Sequence, residues 1–202
     1  HHFHELPDLL PPNLRIFRND VSVLKARLLG QRPTGGSVEC LLLRPVEKLD
    51  GPWRCLLKPG GKAARAGSFY LPGEYEATIV ESLASGEYLV EFDLPKDDDP
   101  TSLAQRIGAL PLPPYVHRPA DETDDLRYQT VYANSENRTA VAAPTAGLHF
   151  TEETFNGLKD KGHSIHDLTL SVGLGTFRPI ETDEIDDHPM HAEEYSIGTE
   201  AK

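Results

Sequence analysis

The stretch Gly30-Gln31-Arg32-Pro33-Thr34-Gly35-Gly36-Ser37-Val38-Glu39-Cys40-Leu41-Leu42-Leu43 decides the reading of the fold. Thr34-Gly35-Gly36-Ser37 is a turn signal between two apolar runs, so the chain folds back as a hairpin into residues 38–43. On the amino-terminal side, residues 14–18 alternate and read as a strand, and a second strand covers 23–30. On the carboxyl-terminal side, 53–57, 69–71, 76–81 and 88–92 repeat the pattern, punctuated by Pro72-Gly73 and Ser85-Gly86. Lys58-Pro59-Gly60-Gly61-Lys62 reads as a loop without regular structure. Short strands at regular spacing with Gly/Pro turns predict a small β-barrel or sandwich over about residues 31–98.

Lys96-Asp97-Asp98-Asp99-Pro100 is a polar boundary, after which the pattern changes. Residues 101–107 read as one or two helical turns capped by Thr101 or Ser102 and stopped at Gly108. Three prolines in 110–115 impose an extended path, and 121–132 reads as a short helix or turn-rich segment. The clearest helix signal starts at Thr151, an N-cap residue followed by Glu152 and Glu153 in the first turn. Phe150 and Phe155 stand at the spacing of a hydrophobic staple, and Gly162 ends the helix. Residues 165–172 then return as a strand.

Bulk properties limit the function classes. The 202 residues allow one large domain or two modest ones, and no apolar run approaches the roughly 18–20 residues that span a bilayer. Cys40 and Cys55 make neither a disulfide framework nor a four-ligand zinc site, and read as buried free thiols of a cytoplasmic protein. Met190 is the only methionine, and the chain is expected to be a fragment. Net charge is −12, which argues against nucleic acid, yet its distribution does not. Residues 1–70 hold eleven Lys/Arg against six Asp/Glu, a net of +5, so the remainder carries −17. Such asymmetry permits a phosphate-binding face.

Chemistry-bearing residues concentrate after residue 110. Pro144-Thr145-Ala146-Gly147-Leu148-His149 joins small residues, which let a ligand approach backbone, to a helix start that favours anions. His149 there suits proton transfer. On spacing alone, a packed loop whose His149 satisfies a carbonyl is the plainer reading. Val172-Gly173-Leu174-Gly175-Thr176-Phe177 is a second glycine-rich connection, and serves either as a ligand cradle or as a tight turn. In His188-Pro189-Met190-His191-Ala192-Glu193, an extended chain puts His191 and Glu193 on one face. A substrate-binding acid/base cluster, a structural role and a metal site using His188, His191 and Glu193 all remain open there. Tyr128-Gln129-Thr130-Val131-Tyr132 offers aromatic and amide groups for a flipped base, and equally for core packing.

Taken in order, Pro111-Leu112-Pro113-Pro114-Tyr115, Tyr128-Gln129-Thr130-Val131-Tyr132-Ala133, the run from Ala142 to Thr151, Val172-Gly173-Leu174-Gly175-Thr176-Phe177 and His188-Pro189-Met190-His191-Ala192-Glu193 resemble one family. It is the S-adenosylmethionine:tRNA ribosyltransferase-isomerases of queuosine biosynthesis. Asn19-Asp20, Ala26-Arg27-Leu28 and the stretch from Thr34 to Glu39 fit it more loosely. The resemblance implies a mixed α/β domain with an inserted small antiparallel β-barrel. Residues 1–30 would begin the α/β domain, 31–98 form the barrel, and 99–202 continue the α/β domain.

It also implies a reaction. The ribosyl part of S-adenosylmethionine, a co-substrate, passes to 7-aminomethyl-7-deazaguanine at the tRNA wobble position and is isomerised. Epoxyqueuosine-tRNA forms, with adenine and methionine released. His149, His191 and Glu193 are the implied candidates for the base that removes a proton beside the sulfonium. Tyr115, Tyr128, Gln129, Thr130, Pro144, Thr145, Gly147, Gly173, Gly175, Thr176 and His188 are expected to bind substrate. Arg18, Lys25, Arg27, Lys58 and Lys62 are expected on the tRNA backbone. No metal and no membrane are expected, and the protein reads as a cytoplasmic monomer. The family pattern carries Thr-Arg where Val21-Ser22 stands, and a histidine where Ser171 stands. These departures motivate the alternative of a non-catalytic tRNA-binding relative; a metal-dependent hydrolase using His188, His191 and Glu193 is the further one.

Overall fold

The computed structural model describes residues 1–113, 115–136, 138–173, 182–187 and 192–198. The strands in chain order are β1 (Arg15–Asn19), β2 (Ser22–Val23), β3 (Arg27–Gln31), β4 (Ser37–Pro45), β5 (Trp53–Lys58) and β6 (Ser68–Leu71). They continue as β7 (Tyr75–Ser82), β8 (Tyr88–Asp93), β9 (Arg138–Ala140), β10 (Ser164–Leu170) and β11 (Tyr195–Ile197). The helices are α1 (Leu6–Leu9), α2 (Gly60–Ala66), α3 (Pro100–Ile107), α4 (Glu122–Arg127) and α5 (Glu152–Asp160). Two compact units result: residues 1–23 with 121–202, and residues 24–120.

The 24–120 unit is a closed antiparallel barrel in the order β3-β4-β5-β8-β7-β6. Its founding hairpin is the one read from Thr34–Ser37: β3 and β4 pair from Gln31↔Ser37 to Arg27↔Leu41, and the amide of Arg32 bonds to the carbonyl of Gly36. Gly35 and Gly36 have φ of 79° and 87°, the left-handed region that glycine enters without cost. Alternation along β4 sends Val38, Cys40 and Leu42 inward, where they meet Leu28, Trp53, Cys55, Phe69 and Val90. Cys40 and Cys55 are free thiols inside this core.

The unit is longer than 31–98 at both ends, because Leu24, Ala26 and Leu28 before it and Leu103 and Ala104 of α3 after it lie in the same core. Three further local expectations are corrected. The strand expected over 23–30 is broken: Ala26 bonds back to the Leu24 carbonyl, and the two halves join different sheets, β2 with β9 and β3 with β4. The loop expected at 58–62 begins a helix instead. Pro59 is its N-cap, and the run Ala63-Ala64-Arg65-Ala66 supplies the helix propensity that the glycines lack. The cap of α3 is Asp99, which accepts from the amides of Thr101 and Ser102; Pro100 takes the first helical position and so makes the residue before it the cap.

The other unit is mixed α/β. β1 and β10 are parallel, from Arg15↔Ser164 to Asn19↔Leu168, and β11 adds antiparallel to β10. β2 and β9 make a separate parallel pair. α5 starts as its sequence indicates: Thr151 Oγ1 accepts the Thr154 amide at 3.2 Å, and Phe150 stacks on Phe155 at 4.8 Å between centroids. At its far end Gly162 has φ of 81° and the chain turns directly into β10.

Candidate functional site

The residues that open the site are Asn19 and Asp20, where β1 ends. Asn19 bridges to β10: its Nδ2 donates to the Leu170 carbonyl at 3.0 Å, and its Oδ1 accepts from the Leu170 amide at 2.9 Å. The same Oδ1 accepts the Val21 amide at 3.2 Å. Asp20 is buried and accepts the Thr169 hydroxyl at 2.7 Å. Its backbone amide donates to Leu168, and its carbonyl accepts from Asn134. One side chain and one backbone thus tie β1, β10 and the 128–134 segment together. Asp20 and Thr169 were not among the expected site residues; they lie 149 positions apart, so spacing carries no trace of the pair.

On this frame two of the glycine-rich runs meet. The Val141 amide donates to the Val172 carbonyl at 3.0 Å, which sets the start of Val141-Ala142-Ala143-Pro144 beside the start of Val172-Gly173. Ala142 and Ala143 are buried, and Pro144 caps a 3-10 turn over Thr145–His149. The third run joins them: Glu193 Oε1 accepts the Gly173 amide at 3.0 Å, and the Ser171 amide donates to the Glu194 carbonyl at 2.9 Å. Among the described residues, a Cβ built on Gly173 would meet nothing within 4 Å.

Gly147 differs. There a Cβ would collide with the Tyr132 hydroxyl and lie 2.8 Å from Thr130 Cγ2. The room that a side chain would need at Gly147 is filled by the protein. Tyr132 is held in turn: its ring packs edge-on against Phe155 at 5.3 Å, and the Arg18 guanidinium lies 4.4 Å over it. Burial pushes the Tyr132 phenol above its ordinary range, against the opposing pull of Arg18. Arg18 also pairs with Asp167, through Nε at 2.5 Å and Nη2 at 3.3 Å. One edge of its guanidinium is thus paired with Asp167 while its face lies over the Tyr132 and Phe155 rings.

His149 ends the 3-10 turn, exposed, with its ring 5.3 Å from that of Phe3. Phe3 also packs edge-on against Phe150 at 4.8 Å. Gln129, expected to bind substrate, is bonded to Val23: its Nε2 donates to the Val23 carbonyl at 2.8 Å and its Oε1 accepts the Val23 amide at 3.0 Å, as a neighbouring strand would. Tyr128 and Thr130 are buried, and Thr145 is exposed. Val21 and Ser22, the departures from the family pattern, are both buried at β2.

The barrel unit carries Tyr115, 69% exposed, together with Lys58 at the end of β5 and Lys62 on α2, both exposed. Arg27 is paired to Glu39 at 3.2 Å, and Lys25 is half-buried. A cavity of about 250 Å³ lies among Pro33, Phe69, Tyr70 and Glu76 of the barrel. Gly175, Thr176, His188 and His191 lie outside the described residues. Among the described residues no helix is long and apolar enough to cross a membrane.

The comparison with known proteins matches this order of motifs along the entire chain. The model of a family described as "Queuosine biosynthesis protein" aligns with residues 1–202. The chain belongs to the queuosine biosynthesis protein family. A relative from Trichlorobacter lovleyi, named S-adenosylmethionine:tRNA ribosyltransferase-isomerase, is 41% identical over 98% of this chain and 56% of its own length. One of the same name from Thermosynechococcus vestitus is 45% identical over 96% of this chain and 53% of its own. A crystal structure of S-adenosylmethionine tRNA ribosyltransferase from Thermotoga maritima is 25% identical and covers 85% of this chain and 45% of that one; its TM-score of 0.32 is too low to add to the fold. The chain thus spans little more than half the length of the curated family members it matches.

Proposed function

We propose that the protein carrying this chain is an S-adenosylmethionine:tRNA ribosyltransferase-isomerase. It moves the ribosyl moiety of S-adenosylmethionine onto 7-aminomethyl-7-deazaguanine at the tRNA wobble position and rearranges it to epoxyqueuosine, releasing adenine and methionine. The observation that carries this reading is sequence identity of 41–45% over nearly the whole chain to relatives bearing that name. The hydrogen bonds from Val141 to Val172 and from Gly173 to Glu193 support it, since they link parts of three runs in the family resemblance.

On that reading its residues take the following roles. Gly173 borders the co-substrate. Glu193 anchors that backbone through the Gly173 amide and acts as a positioning residue. His149, exposed at the end of its turn, is the proton-handling candidate with a reachable ring. His191, Gly175, Thr176 and His188 keep their proposed roles in the same loops. Tyr115 contacts the base, and Lys58 and Lys62 contact tRNA phosphates. The reaction needs no metal, and the protein works in the cytoplasm as a monomer.

The test is release of adenine from S-adenosylmethionine by the full-length protein, with tRNA bearing 7-aminomethyl-7-deazaguanine. Release dependent on that modified base is expected. If adenine does not appear although the tRNA binds, the non-catalytic reading replaces this one.

A further inference from the structure

β1 leaves its sheet early. Its last rung to β10 is Asn19↔Leu168, and the chain then turns into β2, which pairs with β9 instead. β10 runs on to Leu170, two residues beyond that rung. Two side chains supply the rungs that β1 no longer does. The Asn19 carboxamide gives and takes a hydrogen bond with the backbone of Leu170, at 3.0 and 2.9 Å, as a strand residue would. The Asp20 carboxylate accepts the Thr169 hydroxyl at 2.7 Å. Asp20 is buried, and a buried carboxylate is tolerated where hydrogen bonds compensate its lost hydration.

The grip continues along the chain. The Ser171 amide donates to the Glu194 carbonyl, the Val172 carbonyl accepts the Val141 amide, and the Gly173 amide donates to Glu193. Five consecutive residues, 169–173, are thus each hydrogen-bonded to another segment of the same unit. A run held at every residue has little slack, so a shift at Thr169 or Leu170 is passed on to Gly173. The place also suits a ligand. In open α/β sheets ligands bind outside the carboxyl ends of parallel strands, where the chain paths part, and β1 and β10 part at this end.

We propose that Asn19 and Asp20 are positioning residues of the reaction: by holding Leu170 and Thr169 they fix the path of the Gly173 backbone, and with it the seat of S-adenosylmethionine. This rests on the reading of Gly173 as a border of the co-substrate, and it gives neither side chain a chemical step.

Full-length protein carrying Thr169→Val, Thr169→Ser or Asn19→Ala tests this in the adenine-release assay. Thr169→Val keeps the shape of the side chain and removes the hydroxyl. It should raise KM for S-adenosylmethionine about tenfold and leave KM for the modified tRNA within about twofold. Thr169→Ser, which keeps the hydroxyl, should restore most of the loss. Asn19→Ala should act in the same sense, and keeps the test open if Thr169→Val does not fold. Hydrogen exchange reads the positioning itself without turnover. The Ser171 and Gly173 amides should exchange at least about fivefold faster in Thr169→Val, with the barrel amide of Val90 unchanged. Equal increases in both KM values, unchanged exchange at the two amides, or a Thr169→Ser protein as poor as Thr169→Val overturns the proposal. Wild-type protein that releases no adenine ends the enzymatic reading instead, and exchange then decides whether Asn19 and Asp20 hold this backbone.

Discussion

The hydroxyl of Tyr132 occupies the space in which Gly147 would carry a side chain. Tyr132 is not free to retreat, since Phe155 and Arg18 hold its ring on two sides. Gly147→Ala should therefore destabilise the α/β unit by about 1–3 kcal/mol, the usual cost of overpacking. Tyr132→Ala in the same chain should recover part of that loss. Denaturant melts of the two single variants and the double variant measure the coupling; strict additivity would show that the two residues do not compete for space.

Glu193 holds the Gly173 amide, and the two substitutions available there separate anchor from base. Glu193→Ala should lower turnover by roughly 10–100-fold, the worth of one charge-assisted hydrogen bond. Glu193→Gln keeps an acceptor oxygen and should restore most of it. If the glutamine variant is as poor as the alanine one in the adenine-release assay, the carboxylate itself moves the proton.

His149 packs edge-near to Phe3 but keeps its ring exposed. As an acid/base its replacement by alanine should cut turnover by roughly 10²–10⁴-fold with the fold intact. Unchanged turnover, with a lowered melting temperature, would return His149 to a packing role against Phe3.

Burial beside Cys40 pushes the Cys55 thiol well above the ordinary value of 9.0. The folded state thus binds the thiol proton more tightly than the unfolded chain does. Stability from this group is fully present below the unfolded thiol range and is lost as pH rises above it. Urea midpoints should fall between about pH 8.5 and 10.5, and fall less steeply in Cys55→Val. Parallel slopes for both proteins would remove the thiol as the cause.

Lys58 and Lys62 stand exposed at the end of β5 and on α2. Reversal of both to glutamate should weaken tRNA binding and reduce the slope of log affinity against log salt by about 1–2. An unchanged salt slope, measured by filter binding, would place the phosphate contacts elsewhere.

The barrel was legible because its signals are local. The Thr34–Ser37 turn and the apolar runs on either side lie within a few residues, and period-two alternation then sends Val38, Cys40 and Leu42 to one side. The cap and staple of α5 were legible for the same reason, since Thr151, Phe150 and Phe155 interact across one helical turn. The order of five motifs also pointed to the family, with no structural knowledge required. The helix at Gly60–Ala66 was missed because two glycines mask a good helix-forming run behind them.

Sequence by itself thus determined the barrel's hairpin and most of its strands, the capped start of α5, and the family. Tertiary structure decided which contacts single residues make. Gln129 is bonded to Val23, Arg18 is an ion-pair and stacking residue, and Gly147 faces the Tyr132 hydroxyl. The physical reason is range. Turn and cap propensities act over a few residues, whereas Arg18 and Asp167, or Asp20 and Thr169, stand 149 positions apart and meet only once the chain between them has folded.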